Sequence, residues 1–81
     1  MDKVEQQYSA QLIAIFIQEK ACAANVNVGR ELEMARERIQ KGSLSTAVGF
    51  LAHAASRVIV EGSGHPAAAE LEGWWYSLKG W

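Results

Sequence analysis

The sequence predicts an all-α fold, in which a small bundle of about four helices forms a single domain over residues 1–81. Apolar residues recur every three or four positions along most of the chain, which is the period of a helix that buries one side. Glycine and proline concentrate at two joints, residues 42–43 and 62–66, which separate long helical segments. These two patterns together favour helices over strands.

The length of 81 residues permits one hydrophobic core but not two. By mass scaling, a folded monomer of this size buries only about 63% of the surface of its unfolded chain. Cys22 is the single cysteine, so no disulfide within the chain strengthens this small core. Hydrophobic residues at 49% and charged residues at 21% are typical of an ordinary globular protein.

The first predicted helix covers about residues 2–24. One stripe at helical spacing runs along it and contains Val4, Tyr8, Leu12, Ile15, Glu19 and Cys22. Residues 12–17 are apolar on every side, which is typical of a helix enclosed by its neighbours, although a buried strand is an alternative for these six residues. Because so short a chain struggles to enclose a helix, we predict that this helix is central and that a homodimer completes the core. The predicted dimer interface contains Leu12, Ile13, Phe16 and Ile17.

The second and third helices are predicted over residues 28–41 and 44–61. Asn27 can cap the second helix, and Ser43 or Ser45 can cap the third. The apolar stripe of the second helix contains Val28, Leu32, Ala35 and Ile39, and that of the third contains Leu44, Val48, Leu51, Ala55 and Val58. Residues 58–60 are β-branched, so a short strand is an alternative there.

The fourth helix is predicted to begin at Pro66, because proline fits the first position of a helix. Its apolar seam contains Ala67, Leu71, Trp74, Leu78 and Trp81. Trp75 and Tyr76 lie off this seam, which places Trp75 on a solvent-facing side. An exposed tryptophan beside polar residues is typical of an interface hot spot.

The charges lie mainly in the first half of the chain. Residues 1–41 carry six positive and six negative side chains, whereas residues 42–81 carry five charges and all three tryptophans. The net charge of −1 does not favour nucleic acid or a membrane surface as a partner. The free cysteine, together with a first segment that is unlike a secretion signal, predicts a cytoplasmic location.

No pattern for catalysis or cofactor binding is present. The two histidines, His53 and His65, are not at ligand spacing with each other or with Cys22, so no metal is predicted. We expect a partly buried structural role for His53 and a place in the joint for His65. The chain contains neither a nucleophile elbow nor a phosphate-binding loop, so we expect a protein that is not an enzyme.

The sequence therefore predicts a small protein-binding module, an inhibitor, adaptor or regulator that occupies the surface of another protein. A phage-encoded inhibitor of a host protein complex fits this size. The predicted anchors are Trp75, Tyr76, Trp81 and Phe50. One alternative is a dimeric DNA-associated transcriptional regulator that uses Arg30, Arg36, Arg38 and Lys41. Another alternative is a structural subunit that associates with itself.

Overall fold

The computed structural model describes residues 3–77 and confirms an all-helical fold with four helices. The helices are α1 (Lys3–Ala23), α2 (Gly29–Gln40), α3 (Leu44–Glu61) and α4 (Pro66–Ser77). The described residues contain no strand, so residues 12–17 and 58–60 are both helical. The Cα radius of gyration is 12.0 Å, close to the ~12 Å expected of a compact domain of this length.

The helices α1 and α3 hold the fold together. Each of them contacts the three other helices, whereas α2 and α4 do not contact each other along their described lengths. Each of these two outer helices is therefore held in place through its packing against α1 and α3.

The core consists of aliphatic side chains and alanines. Its largest fully buried members are Ile17, Leu32, Ile39, Leu51, Leu71, Val28 and Val58. Fully buried alanines lie among them at positions 14, 21, 35, 47, 54 and 55. No polar or charged residue in the described part of the chain is buried as a whole. Stability therefore depends on the removal of apolar surface from water.

The first helix is not enclosed on every side, contrary to what its apolar sequence predicts. Its buried face contains Ala10, Ile13, Ala14, Ile17 and Ala21. The opposite face carries an exposed apolar stripe of Val4, Tyr8, Leu12 and Ile15, whose side chains are 73%, 65%, 48% and 49% exposed. The small alanines on the inner face allow the neighbouring helices to approach, and none of the helices described over residues 3–77 covers the larger residues outside.

Burial within the chain also corrects the predicted dimer interface. Ile13 and Ile17 belong to the core of the single chain and are not accessible to a second copy. Phe16 is partly buried and packs against this core. Of the four residues predicted for the interface, only Leu12 has a largely exposed side chain.

The joint between α1 and α2 differs by one residue from the predicted cap. Val28 occupies the position that precedes α2, and it makes no capping bond through its side chain. The Oδ1 atom of Asn27 instead accepts a hydrogen bond from the Gly29 backbone N–H at 3.1 Å. Asn27 thus satisfies a free N–H group at the helix start, although it lies one residue earlier than a standard N-cap.

The start of α4 depends on His65 as well as on Pro66. The Nδ1 atom of His65 accepts a hydrogen bond from the Ala67 N–H at 3.0 Å. The His65 carbonyl oxygen accepts hydrogen bonds from the N–H groups of Ala68 and Ala69. His65 therefore caps this helix, and Pro66 occupies the first helical position as predicted, where its missing N–H leaves no unpaired donor.

An aromatic and charged cluster attaches α4 to α1. The rings of Phe16 and Trp74 lie with their centroids 4.2 Å apart and their planes tilted by 42°. The Lys20 ammonium group lies 5.2 Å from the centre of the Phe16 ring and forms an ion pair with Glu70. Aromatic contact, a cation–π contact and an ion pair thus act together at one place.

We expect Gly62→Ala to destabilise the fold by about 1–3 kcal/mol, which is the usual cost of overpacking. A Cβ atom at Gly62 would lie 2.7 Å from the Val58 carbonyl oxygen and 3.0 Å from the Ala24 Cβ atom. Gly73→Ala is the matched control, because its added Cβ atom meets nothing within 4 Å. Since alanine favours a helix interior, this control should gain up to about 1 kcal/mol. Urea denaturation measures both effects, and an unchanged midpoint for Gly62→Ala would contradict the close contact.

We expect Glu70 to stabilise the fold in a pH-dependent manner. A hydrogen bond from Lys20 and the charge of this lysine lower the pKa of Glu70 below its ordinary value. Such a carboxyl group stabilises the folded chain at pH values above its unfolded pKa of about 4.3, and this contribution is lost as the pH falls through the lower folded pKa. In thermal melts, Glu70→Gln should therefore have a lower Tm at neutral pH and a shallower fall in Tm on acidification. Glu72→Gln on the same helix serves as the control, and identical acid profiles for Glu70→Gln and the wild type would refute this role.

Candidate protein-binding groove

An open groove lies between α2 and α3, with a volume of about 570 Å³. We call it the α2–α3 groove. Its lining residues are Arg30, Glu31, Met34, Ser45, Thr46, Gly49, Phe50 and His53. On each helix, single residues or adjacent pairs in this lining recur at intervals of three or four positions, so each helix contributes one of its faces to the groove.

Gly49 borders the open part of the groove. A Cβ atom at this position would meet nothing within 4 Å, so the glycine leaves a depression on the surface of α3. Met34 and Phe50 supply the apolar part of the wall. Phe50 is half-buried and packs against the core. A partly exposed ring backed by packed residues is well placed to contact an apolar side chain of a partner.

A network of charged groups supports one side of the groove. The Arg57 guanidinium donates to Glu31 Oε1 at 2.9 Å and to the Asn27 carbonyl oxygen at 3.1 Å. It also forms two hydrogen bonds with Glu61, at 2.7 and 3.2 Å. The hydrogen bonds with Glu61 and Glu31 raise the pKa of Arg57, and the bond to Arg57 lowers the pKa of Glu61. This network ties α2 and the loop before it to α3, so it holds the two walls of the groove together.

The second carboxylate oxygen of Glu31 differs from the first. Its Oε2 atom is buried and accepts no hydrogen bond from the described residues. A buried acceptor without a donor costs free energy, and a donor that reaches it recovers that cost. Because this atom is buried, a partner that lies in the groove does not contact it, and the unpaired oxygen is a cost to the fold.

The predicted anchors lie on two different helices, α3 and α4, and in one case outside the described residues. Phe50 lines the α2–α3 groove, whereas Tyr76 lies on α4 with its side chain 58% exposed. Trp75 is half-buried and packs against the core, so it does not lie on the solvent-facing side where its spacing predicts it. Trp81 lies outside the described residues. The lining of the groove includes no residue of α4.

The structure also adds residues to the site that the sequence analysis did not select. His53 is exposed at the groove and not partly buried as expected. Met34 and Gly49 lie in the same site because α2 packs beside α3. A glycine within an otherwise helical segment was the one available signal, because such a glycine often marks a position with a packing or functional reason.

The basic residues of α2 do not form an unopposed positive surface. Lys41 and Arg38 both pair with Glu37, at 3.0 and 3.6 Å. The hydrogen bond from Lys41 and the two positive charges lower the pKa of Glu37. Arg30 lies in the groove beside Glu31. Carboxylates thus offset much of the positive charge that phosphate contacts would use.

Within residues 3–77, no group of three or more histidine, cysteine, aspartate or glutamate side chains is arranged to hold a metal ion. None of the helices in this range combines the length and the apolar character needed to cross a membrane.

Comparisons with known protein families, with curated proteins and with solved structures find no match to this chain. No relative therefore supplies a role for the groove, and its residues are interpreted from their own chemistry.

Proposed function

We propose that this protein is a non-enzymatic protein-binding module that holds a segment of another protein in the α2–α3 groove. The observation that carries this proposal is the groove itself, with Met34 and Phe50 as an apolar wall and Arg30 and His53 beside it. An apolar centre with polar groups around it is the usual composition of a protein interface.

The open form of the groove favours a protein segment over a small molecule. Small-molecule sites enclose most of the surface of their ligand. The α2–α3 groove is an open surface feature between two helices, so a small ligand would keep much of its surface in water. A protein segment can place one apolar side chain against Met34 and Phe50 and remain solvated elsewhere.

The C-terminal helix offers a second contact region in this proposal. The exposed residue Tyr76 supports a contact at this helix, and the neighbouring Trp75 packs against the core. A role as inhibitor, adaptor or regulator, a phage origin and a cytoplasmic location stay predictions from the sequence. The DNA-binding alternative is less favoured, because Glu37 pairs with both Arg38 and Lys41.

The groove is tested by filling it. We expect Gly49→Gln to fold, because its Cβ atom enters open space, and to block the groove with its longer side chain. Gly73→Gln is the matched control, since Gly73 is also an exposed helical glycine whose Cβ atom would meet nothing within 4 Å. The wild type and the two variants are immobilised separately and used to capture partner proteins from the native cell. Each captured partner is then purified, and its affinity for the wild type and for each variant is measured by titration.

The proposal predicts that Gly49→Gln weakens binding of the purified partner at least about tenfold, a loss of about 1.4 kcal/mol. Gly73→Gln should bind as the wild type does. If Tyr76→Ala abolishes binding while Gly49→Gln leaves it unchanged, the partner site is the C-terminal helix and the groove assignment is wrong. Binding of duplex DNA that falls steeply with salt would instead favour the transcriptional regulator.

A further inference from the structure

The outer face of α1 is an apolar surface that no part of the described chain covers. Its four residues, Val4, Tyr8, Leu12 and Ile15, are spaced by 4, 4 and 3 positions and so share one side of the helix. We call this set the outer stripe. It contains no charged residue, and Glu19 is the next residue along the same side. Contiguous exposed apolar surface of this kind marks an interaction site.

We propose that the outer stripe binds the outer stripe of a second copy, so that two α1 helices pack antiparallel around a two-fold axis. This inference goes beyond the proposed groove and does not depend on it, because the described lining of the groove comes from α2 and α3 and not from α1. It also moves the homodimer interface away from Ile13 and Ile17, which are buried in each chain.

Several properties of the chain fit a second copy as the occupant. A two-fold contact pairs a patch with itself, so the two stripes match in length by symmetry. The stripe extends over 12 residues, from Val4 to Ile15, whose Cα atoms are about 16 Å apart along the helix axis. The net charge of −1 causes little repulsion between two copies. The chain also lacks an internal disulfide, and association is a usual means by which so small a core gains stability.

The antiparallel direction follows from Glu19. In a parallel pair, the Glu19 side chains of the two copies would face each other at the end of the stripe, and like charges side by side oppose association. In an antiparallel pair centred on the middle of the stripe, these carboxylates are separated by about 28 Å along the helix axis, well beyond the ~8 Å screening length at physiological salt.

The interface expected from one helix face is small. Specific protein interfaces usually bury about 800 Å² on each partner, and four partly exposed side chains on one helix provide less than this. We therefore expect a dimer that dissociates on dilution and not a permanent one. The described lining of the α2–α3 groove includes no residue of α1.

The oligomeric state tests the inference, by sedimentation equilibrium of the full chain from low to high micromolar concentration. The wild type should approach twice the chain mass of 8.9 kDa as its concentration rises. Leu12→Glu and Tyr8→Glu each place a charge on the stripe and should raise the dissociation constant at least about tenfold. Val60→Glu is the matched control, because Val60 is an apolar helical residue that is 72% exposed on α3. Circular dichroism confirms that each variant is folded.

A short bifunctional thiol cross-linker tests the direction. In the antiparallel pair, the two Cys22 thiols lie about 38 Å apart along the helix axis, whereas cysteines placed at Gln11 lie within about 5 Å along it. Gln11→Cys in a Cys22→Ser background should therefore cross-link, and the native chain should not. Cross-linking through Cys22, which is exposed in the chain, would overturn the antiparallel arrangement.

The inference is overturned if the wild type stays monomeric at high micromolar concentration, or if Val60→Glu disrupts the dimer as strongly as Leu12→Glu does. These results are independent of the groove. Gly49→Gln should leave the dimer intact, and Leu12→Glu should leave capture of the partner protein intact.

Discussion

The contact between α1 and α3 is the constraint on which the rest of the structure depends. Both helices touch α2 and α4, and these two outer helices do not touch each other. Short side chains at Ala14 and Ala21 on α1, and at Ala47, Ala54 and Ala55 on α3, are fully buried. Because such side chains let helix backbones approach closely, these small groups pack densely between the larger buried residues of the core, such as Ile17 and Leu51.

The core buries only part of each helix surface, and this explains which apolar residues stay exposed. The core takes one face of α1, which leaves Val4, Tyr8, Leu12 and Ile15 outside. It takes part of the facing surfaces of α2 and α3, which leaves the depression at Gly49 with Phe50 beside it. The Arg57 network holds α2 against α3 from the side, so the groove is a fixed feature of the fold. Two separate surfaces are thus exposed, and they are the surfaces that we propose for a second copy and for a different protein.

Sequence periodicity predicted the helices well and their orientation less well. The limits of α3 match those expected, and α4 begins at Pro66 as proposed, because caps and breakers act locally. Periodicity also placed Val4, Tyr8, Leu12 and Ile15 on one face of α1, but it cannot say which face turns inward when both are apolar. The inward face is the one that carries Ala10, Ala14 and Ala21, whose small side chains allow close packing. Trp75 was misplaced for a similar reason, since the buried face of α4 is wider than one seam. The groove was not predictable, because it exists only where two helices meet.

An alanine-rich core also limits how this protein can change during evolution. At a fully buried alanine, each larger residue adds volume between helices that already touch, and overpacking destabilises a fold as surely as a cavity does. Glycine is the only smaller replacement for alanine, and it destabilises the helix itself. We therefore expect almost every substitution at these buried alanines to destabilise the fold. We expect substitutions to accumulate instead on the outer face of α1 and at the rim of the groove, where side chains are exposed. These surfaces can then acquire new partners while the interior stays the same.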